Sequence, residues 1–474
     1  MRVIKSLLLI AIFSLVFTKT LFSQVDTAWI RSFEDSAGAS RPSVAASFAL
    51  DAKGNVYVAG TYYNSDNSLD YMTIKYSPSG TIQWINKYNS LTNLDDSATR
   101  VTIDKFGYVY VTGVSYLSSQ NSEITTIKYT QSGNMLWSAS YYKSKFEDYL
   151  CIPSAIAVDD SGNVYITGKI RILYSDNDYL TIKYDASGFE QWVTTYNGPG
   201  NSDDQSVAIA VDNKGNVFVT GYSIGLSSGY DFATIKYDAS GVKKWVSRYN
   251  GLKDIIDVED KPTAIALDNK SDVYVTGYSK SFITKDYITI KYDVNGKEDW
   301  IRRYSGDGGG DDEPLAMAIY RSKNIYLTGY SSNFRVGRTR ADYTTIKYNT
   351  AGKMLWNRNY TDNENSSASA VSMTKEANDI AKVIALDSLG NVYVAGINRN
   401  ATPGSSNPPY QSLTTIKYNA FGDSIWAIQY GSKTSSNDVY QIATDLKRNI
   451  YILATPQLAY SNKKYIMIKY IQTW

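Results

Sequence analysis

The chain has 474 residues, of which 43% are hydrophobic and 20% charged, a composition that supports a buried core and excludes disorder and a collagen-like repeat. Its 48 basic and 46 acidic residues nearly cancel, so no global positive field exists to attract nucleic acid or an anionic membrane. The absence of histidine excludes Ser-His and Cys-His nucleophiles, and the single cysteine excludes an intramolecular disulfide.

The N-terminal segment, residues 1–23, is typical of a secretory signal peptide. Arg2 and Lys5 precede an apolar run from Leu7 to Phe17, which a more polar stretch follows. This run has 11 residues, too few to cross a bilayer of about 30 Å as a helix. We therefore expect cleavage near Ser23 and a protein in the periplasm or outside the cell, without membrane insertion.

A repeat occupies the remainder of the chain. The tetrapeptide Thr-Ile-Lys-Tyr, or a close copy of it, occurs eight times, mostly at intervals of 53 to 56 residues. A tryptophan follows each of the first seven copies by eight residues, and a segment such as Asn-Val-Tyr-Val-Ala-Gly at residues 55–60 precedes the tetrapeptide. Repetition with such a long period is typical of propellers and other repeat architectures.

Each unit contains four predicted strands, A to D. In the fourth unit they cover residues 207–212, 216–222, 232–237 and 244–249. The strands are short, rich in Val, Ile, Thr and Tyr, and bounded by Gly, Asp or Asn. The segment from Asp212 to Asn216 predicts a tight A–B hairpin. Four-stranded meanders at this period predict an all-β protein with the β-propeller fold.

The number of strands predicts how the ring closes. Strands A, B and C occur eight times, but strand D follows only the first seven C strands. The D pattern, a tryptophan followed four residues later by an aromatic residue, occurs once more at Trp29 and Phe33. We therefore predict a single β-propeller over residues 25–474, with eight four-stranded blades, closed by the N-terminal strand completing the last blade.

Two segments of the third unit carry a family resemblance. Residues 159–168 read Asp-Asp-Ser-Gly-Asn-Val-Tyr-Ile-Thr-Gly, and residues 178–188 read Asp-Tyr-Leu-Thr-Ile-Lys-Tyr-Asp-Ala-Ser-Gly. The chain resembles the SBBP family of bacterial β-propeller repeat proteins over essentially all of its mature length. The resemblance implies a secreted or surface propeller without common catalytic residues. The family name is associated with seven blades, whereas we count eight units here.

Three recurring residue types receive structural interpretations. The lysine of each Thr-Ile-Lys-Tyr copy should lie between blades and needs a carboxylate or a backbone partner. Candidate carboxylates lie five residues earlier, as Asp231 does for Lys236, or at the ends of the A strands. The tryptophans should pack on the next blade instead of stacking on carbohydrate. Acidic pairs before strand A, such as Asp203-Asp204, should cap turns instead of binding Ca²⁺. We therefore predict no metal and no cofactor.

The candidate binding site lies at one end of the blades. The B–C and D–A connections share that end and vary in length and sequence, as loops that carry function tend to do. Six tyrosines just after strand B and three arginines in the sixth B–C loop form the predicted site. They are Tyr62, Tyr116, Tyr174, Tyr222, Tyr278, Tyr330, Arg335, Arg338 and Arg340.

The leading functional hypothesis is a monomeric, non-enzymatic scaffold that binds a protein or polysaccharide partner through this end, and not nucleic acid. One alternative is a carbohydrate-active hydrolase or lyase that uses a carboxylate pair about 5–10 Å apart. Another is a purely structural surface or adhesin component. A quinoprotein is disfavoured, because the vicinal cysteines near its cofactor have no counterpart in a chain with one cysteine.

Overall fold

The computed structural model describes residues 24–32, 44–64, 68–143, 149–172, 175–251, 259–335, 338–361, 378–400, 410–431, 435–458 and 465–473. All regular structure in these ranges is β-strand. Among the same residues, no helix is long and apolar enough to cross a membrane. The signal peptide predicted over residues 1–23 lies outside the described residues and stays a prediction.

The described residues form thirty-two strands. The first sixteen are β1 (Gln24–Ser32), β2 (Val44–Leu50), β3 (Val56–Tyr63), β4 (Leu69–Tyr76), β5 (Ile82–Tyr88), β6 (Asp96–Ile103), β7 (Val109–Tyr116), β8 (Ser122–Tyr129), β9 (Met135–Tyr141), β10 (Tyr149–Val158), β11 (Val164–Ile172), β12 (Asn177–Tyr184), β13 (Glu190–Tyr196), β14 (Asp204–Val211), β15 (Val217–Ile224) and β16 (Tyr230–Tyr237). The second sixteen are β17 (Lys243–Tyr249), β18 (Asp260–Leu267), β19 (Val273–Lys280), β20 (Lys285–Tyr292), β21 (Glu298–Tyr304), β22 (Gly309–Tyr320), β23 (Asn324–Arg335), β24 (Arg338–Asn349), β25 (Met354–Tyr360), β26 (Asp379–Leu386), β27 (Val392–Asn400), β28 (Tyr410–Tyr418), β29 (Ser424–Tyr430), β30 (Ser435–Thr444), β31 (Ile450–Leu458) and β32 (Ile466–Thr473).

The strands form seven sheets, six of four strands and one of eight. In a sheet such as β14 to β17, strands adjacent in sequence pair side by side as an antiparallel meander. The eight-stranded sheet consists of two such meanders, β6 to β9 and β10 to β13, joined by one parallel pair between Leu150 and Ser122. The predicted all-β fold built from four-stranded units is confirmed.

The A–B turns show why the strands end where they do. After β14, Asp212 accepts hydrogen bonds through Oδ1 from the backbone N–H groups of Lys214 and Asn216, both at 2.9 Å. Its Oδ2 accepts one from the Asn216 side-chain amide at 2.8 Å. Gly215 occupies the left-handed region at φ 76°, which favours glycine. The A–B hairpin predicted at Asp212 to Asn216 is confirmed.

The core lies between neighbouring sheets, and the repeated tryptophans and lysines join those sheets. Trp84 Nε1 and Lys75 Nζ both donate to the backbone carbonyl of Gln131 in the next unit, at 3.0 and 2.8 Å. The same two bonds recur at Ala186 (Trp137, Lys128), Ala239 (Trp192, Lys183), Val294 (Trp245, Lys236) and Ala420 (Trp356, Lys347). The predicted packing of these tryptophans on the next unit is confirmed.

The carboxylate partner predicted for Lys236 is wrong, and the backbone alternative is correct. Lys236 Nζ donates to the Val294 carbonyl at 2.9 Å and lies 5.2 Å from the centre of the Phe218 ring. Asp231 is paired with Arg248 instead, at 2.8 Å. The reason is the alternation of a strand, because residues five apart point to opposite faces and lie about 16 Å apart.

The first strand belongs to the same sheet as the last three. β1 pairs antiparallel with β32, and Trp29 lies opposite Lys469. Trp29 Nε1 and Lys469 Nζ both donate to the Pro78 carbonyl of the first unit, at 3.0 and 2.8 Å. The N-terminal tryptophan therefore makes the contact that Trp84 makes one unit later.

Candidate functional site

The predicted site tyrosines lie within the B strands, not after them. Five of them are strand residues, at Tyr62 (β3), Tyr116 (β7), Tyr222 (β15), Tyr278 (β19) and Tyr330 (β23). Tyr116 is the last residue of its strand, whereas β23 continues from Tyr330 to Arg335. Tyr278 is buried and the other four are partly buried. Tyr174 lies outside the described residues. The expectation that they stand clear of the core is therefore wrong for Tyr278.

The three arginines also lie on strands where a loop was predicted. The hairpin of β23 and β24 stays paired almost to its tip, so Arg335 lies opposite Arg338 and Asn333 opposite Arg340. This prolonged pairing is the reason for the difference. Arg340 Nε forms an ion pair with Asp342 at 3.1 Å.

The acidic pairs before the A strands are tied to backbone N–H groups. The second acid of four pairs is buried and accepts a hydrogen bond from its own D–A connection, at distances of 2.5 to 2.7 Å. These bonds join Asp96 to Ser90, Asp204 to Gly198, Asp260 to Gly251 and Asp312 to Gly306. Burial raises the pKa of all four carboxyl groups. The predicted turn-capping role is confirmed, and no group of metal-binding side chains occurs among the described residues.

A series of contacts among tyrosines, lysines and acids runs across three consecutive sheets, β14–β17, β18–β21 and β22–β25, at the B–C end. At its start, Tyr230 donates its hydroxyl to Asp203 Oδ2 at 3.1 Å. The Tyr230 ring packs edge-on against Tyr222, with ring centres 5.0 Å apart. Lys261 Nζ, from the next sheet, lies 4.2 and 5.0 Å from the centres of these two rings. Cation–π contact thus joins the first sheet to the second.

The series of contacts continues through the second of these sheets, β18–β21. Lys261 forms an ion pair with Glu259 at 3.1 Å, and the Tyr278 hydroxyl donates to the other oxygen of Glu259 at 3.2 Å. Lys285 Nζ lies 4.1 Å from the centre of the Tyr278 ring. Each lysine therefore contacts a tyrosine face and a carboxylate at once.

The series of contacts ends in the third of these sheets, β22–β25. Lys285 forms an ion pair with Glu313 at 3.1 Å, and the Tyr330 hydroxyl donates to the same oxygen of Glu313 at 3.0 Å. We call this set the ladder. Its members are Asp203, Tyr222, Tyr230, Glu259, Lys261, Tyr278, Lys285, Glu313 and Tyr330.

The ladder fixes the ionisation of its members. Burial, and then the nearby carboxylate of Asp203, raise the pKa of Tyr230 to about 12. Burial and Glu259 likewise raise the pKa of Tyr278, and burial and Glu313 raise that of Tyr330. Burial alone would raise the pKa of Glu259, but Lys261 and the Tyr278 hydroxyl lower it below its ordinary value. The tyrosines thus stay protonated and Glu259 stays charged at neutral pH.

The structure brings three predicted residues together, Tyr222, Tyr278 and Tyr330, and places Tyr62, Tyr116 and Arg340 outside the ladder. Tyr62 lies in the sheet formed by β2 to β5, where Lys87 Nζ is 3.7 Å from the centre of the Tyr62 ring. Sequence reasoning missed the connecting residues of the ladder. Lys261 was detectable in principle, because it lies opposite Tyr278 in the register of β18 and β19.

Tyr116 borders an open surface cleft of about 510 Å³. The cleft lies between the D–A connection before β6 and the B–C connection after β7. Its other described lining residues are Ser68, Asn93, Leu94, Asp95, Ser118 and Ser119. Tyr116 therefore has surroundings different from those of the three tyrosines in the ladder.

Comparison with known families supports the repeat assignment. A family model described as the SBBP beta-propeller repeat matches residues 147–172 and 191–226. These matches cover parts of the third and fourth units. The first quoted motif, residues 159–168, lies within the match, whereas the second, residues 178–188, lies between the two matched segments. The predicted resemblance is therefore confirmed for residues 147–172 and 191–226.

Two curated relatives of this chain are much longer than it is. An uncharacterized WD repeat-containing protein of Acanthamoeba polyphaga mimivirus is 23% identical over 484 residues, covering 76% of this chain and 33% of the relative. The regulatory protein FlaEY of Caulobacter vibrioides is 29% identical over 182 residues, covering 35% of this chain and 18% of the relative. The chain thus spans a third or less of the length of the curated relatives it matches.

Solved structures with a similar course of the chain share little sequence with it. The WD40 domain of SCAP from fission yeast is 8% identical with a TM-score of 0.45, covering 94% of this chain and 98% of that one. Drosophila Plexin A in complex with Semaphorin 1b is 9% identical with a TM-score of 0.41, at 94% and 88% coverage. An ulvan lyase is 9% identical with a TM-score of 0.40, at 84% and 95% coverage.

Proposed function

We propose that the four-stranded units are the eight blades of one closed propeller. Three observations support this. The thirty-two strands make eight groups of four. Trp29 and Lys469 of the last sheet both donate to the Pro78 carbonyl of the first sheet. Trp84 and Lys75 bond to the Gln131 carbonyl of the next unit in the same way. Gln441 of β30 adds hydrogen bonds to the backbone N–H and C=O of Phe48 in β2, at 2.9 and 2.8 Å.

We propose that this propeller is an exported, non-enzymatic scaffold that binds a protein or polysaccharide partner through its B–C and D–A end. The observation that carries the proposal is the ladder, which crosses three consecutive sheets and leaves charged groups partly exposed. The side chains of Lys261 and Glu259 are 25% and 36% exposed. Aromatic residues with polar tips, held rigidly beside partly exposed charges, are typical of binding surfaces.

The ionisation of the ladder favours binding over catalysis. A general acid or base works best with a pKa near the operating pH. The tyrosines of the ladder have pKa values raised well away from neutrality, and the pKa of Glu259 is lowered. These groups therefore offer a partner fixed charges and hydrogen bonds. They neither gain nor lose a proton near neutral pH.

The proposal is tested with a matched pair of double variants of residues 25–474. Lys261→Ala with Lys285→Ala removes both cations of the ladder. Lys105→Ala with Lys244→Ala removes two lysines that also form ion pairs, with Asp160 at 3.7 Å and Asp238 at 3.1 Å, outside the ladder. Tagged proteins are incubated with envelope and secreted fractions of the producing cells, and captured proteins and glycans are quantified.

We expect the ladder variant to lose captured partner about tenfold, while the control variant captures as much as the wild-type protein. Melting temperatures of both variants should stay within a few degrees of wild type, because partly exposed ion pairs contribute little to stability. Equal capture by all three proteins would contradict the proposal.

A further inference from the structure

The cleft beside Tyr116 is held open by bonds between its walls. The Tyr116 backbone N–H donates to the Asp95 carbonyl at 3.1 Å, and Thr92 Oγ1 donates to the Tyr116 carbonyl at 2.8 Å. Asp95 Oδ1 also accepts the backbone N–H of Leu69, from the first unit, at 3.0 Å. These bonds join the walls of the cleft across two units, so a ligand would meet a preformed site, which lowers the entropic cost of binding.

The lining of the cleft combines hydroxyl, amide and carboxylate groups with one aromatic ring. Ser118 and Ser119 supply hydroxyls that can donate or accept, Asn93 supplies an amide that does both, and Asp95 supplies acceptors. Tyr116 adds an aromatic surface with a polar tip. Mixed donors and acceptors beside an aromatic ring match a ligand with many hydroxyl groups and one apolar face.

The charge of the cleft selects further among such ligands. The described lining residues include one acid, Asp95, and no lysine or arginine. Phosphate, sulfate and uronate groups would therefore meet a carboxylate without a compensating cation among those residues. The volume of about 510 Å³ falls within the range of about 300–1,000 Å³ usual for small-molecule sites.

We propose that this cleft is a binding subsite for a neutral saccharide. A sugar ring packs its C–H face on Tyr116, while its hydroxyls bond to Asp95, Asn93 and the serines of the second B–C connection. The proposal rests on the proposed scaffold function and names a ligand class for one part of the same end of the propeller. The ladder, which lies on the sheets formed by β14 to β25, is a separate surface.

The test is calorimetric titration of residues 25–474 with maltose, cellobiose and lactose as neutral probes and digalacturonate as the charged probe. We expect at least one neutral disaccharide to bind at millimolar concentration or below, and digalacturonate to bind at least about tenfold more weakly. Tyr116→Ala should weaken the neutral ligand about tenfold or more. The matched control is Tyr108→Ala, a tyrosine of the same unit that is 36% exposed at the A–B turn.

A second variant separates binding from folding. Ser119 is exposed, so Ser119→Trp should fill the cleft and abolish binding without lowering the melting temperature. The proposal is overturned if no neutral disaccharide binds, if digalacturonate binds as well as they do, or if Ser119→Trp binds normally. Should disaccharide binding fail while the Lys261 and Lys285 variant still loses its partner, only the cleft proposal falls. Failure of that capture experiment with disaccharide binding intact would instead remove the ladder from the scaffold function.

Discussion

Asp204 begins β14 and Asp212 follows its last residue, so these two buried carboxylates mark opposite ends of one strand. Asp212 accepts hydrogen bonds from Lys214, Asn216 and, across to the next sheet, Ser271 Oγ at 2.9 Å. Burial alone would raise the pKa of Asp212, but these donors lower it. Asp204 accepts a hydrogen bond from the Gly198 N–H. Burial raises the pKa of Asp204, although its hydrogen bonds with Gly198 and Ser223 act to lower it.

The difference shows how one fold separates its structural end from its variable end. The donors to Asp212 come from the A–B turn and the neighbouring sheet, and the bond from the turn backbone recurs at Asp51, Asp159, Asp387 and Asp445. The donor to Asp204 comes from a D–A connection, whose sequence varies from unit to unit. The A–B end thus stabilises the units, whereas the B–C and D–A end can change residues without loss of those bonds.

The largest effect is expected from deleting residues 25–34. This removes most of β1, exposes β32 as an edge and breaks the bond of Trp29 to Pro78 at the C–D turn of the first unit. We expect aggregation or loss of cooperative thermal unfolding. Deletion of residues 473–474 is the control and should change the melting temperature little. Equal melting of both truncated proteins would show that closure by β1 does not stabilise the molecule.

The comparison of Asp212 with Asp204 predicts opposite pH dependence. Asp212→Ala should reduce the free energy of unfolding at pH 7 by about 2–4 kcal/mol, because it leaves several donors without an acceptor. Since the folded pKa of Asp212 is lowered, this stabilisation is present above the unfolded value of 3.8 and is lost as pH falls through the folded pKa.

Asp204→Asn should behave in the opposite way. The folded pKa of Asp204 is raised, so its contribution is favourable below 3.8 and is lost as pH rises through the folded value. The variant should therefore gain stability relative to wild type as pH rises above about 4. Melting temperatures between about pH 3 and pH 7 measure both trends. The same sign for the two variants would refute the distinction between the two ends.

The smallest effect is expected from substituting Lys236, which donates a hydrogen bond to the Val294 carbonyl of the next unit. Lys236→Ala should cost about 1–2 kcal/mol, the value of one buried hydrogen bond and some packing. Lys236→Met keeps the contact with Phe218 and should cost less than Lys236→Ala. Denaturant unfolding measures both variants. A cost above about 3 kcal/mol for Lys236→Ala would indicate an unpaired buried carboxylate after all.

The sequence alone predicted the units well because their strands and turns depend on local rules. The Asp212 to Asn216 hairpin and the packing of the tryptophans follow from turn chemistry and from spacing. The partner of Lys236 was misjudged because a distance along the chain says nothing about which face of a strand a residue occupies. The ladder was out of reach for another reason. Its contact between Lys261 and Tyr230 joins different sheets, and sequence spacing does not predict the distance across that junction.

The pairing of β1 with β32 has a consequence for how the chain is made. Lys469 and Pro78 lie 391 residues apart in sequence and 2.8 Å apart in space. Trp29 and Lys469, which lie opposite each other in β1 and β32, are 440 residues apart, so at ordinary rates of synthesis the N-terminal strand waits roughly 20–90 s before its partner strand exists. Throughout that time Trp29 has no β32 to pack beside. The middle units can pair locally as they emerge, but β1, which is synthesised before them, is among the last strands to be incorporated.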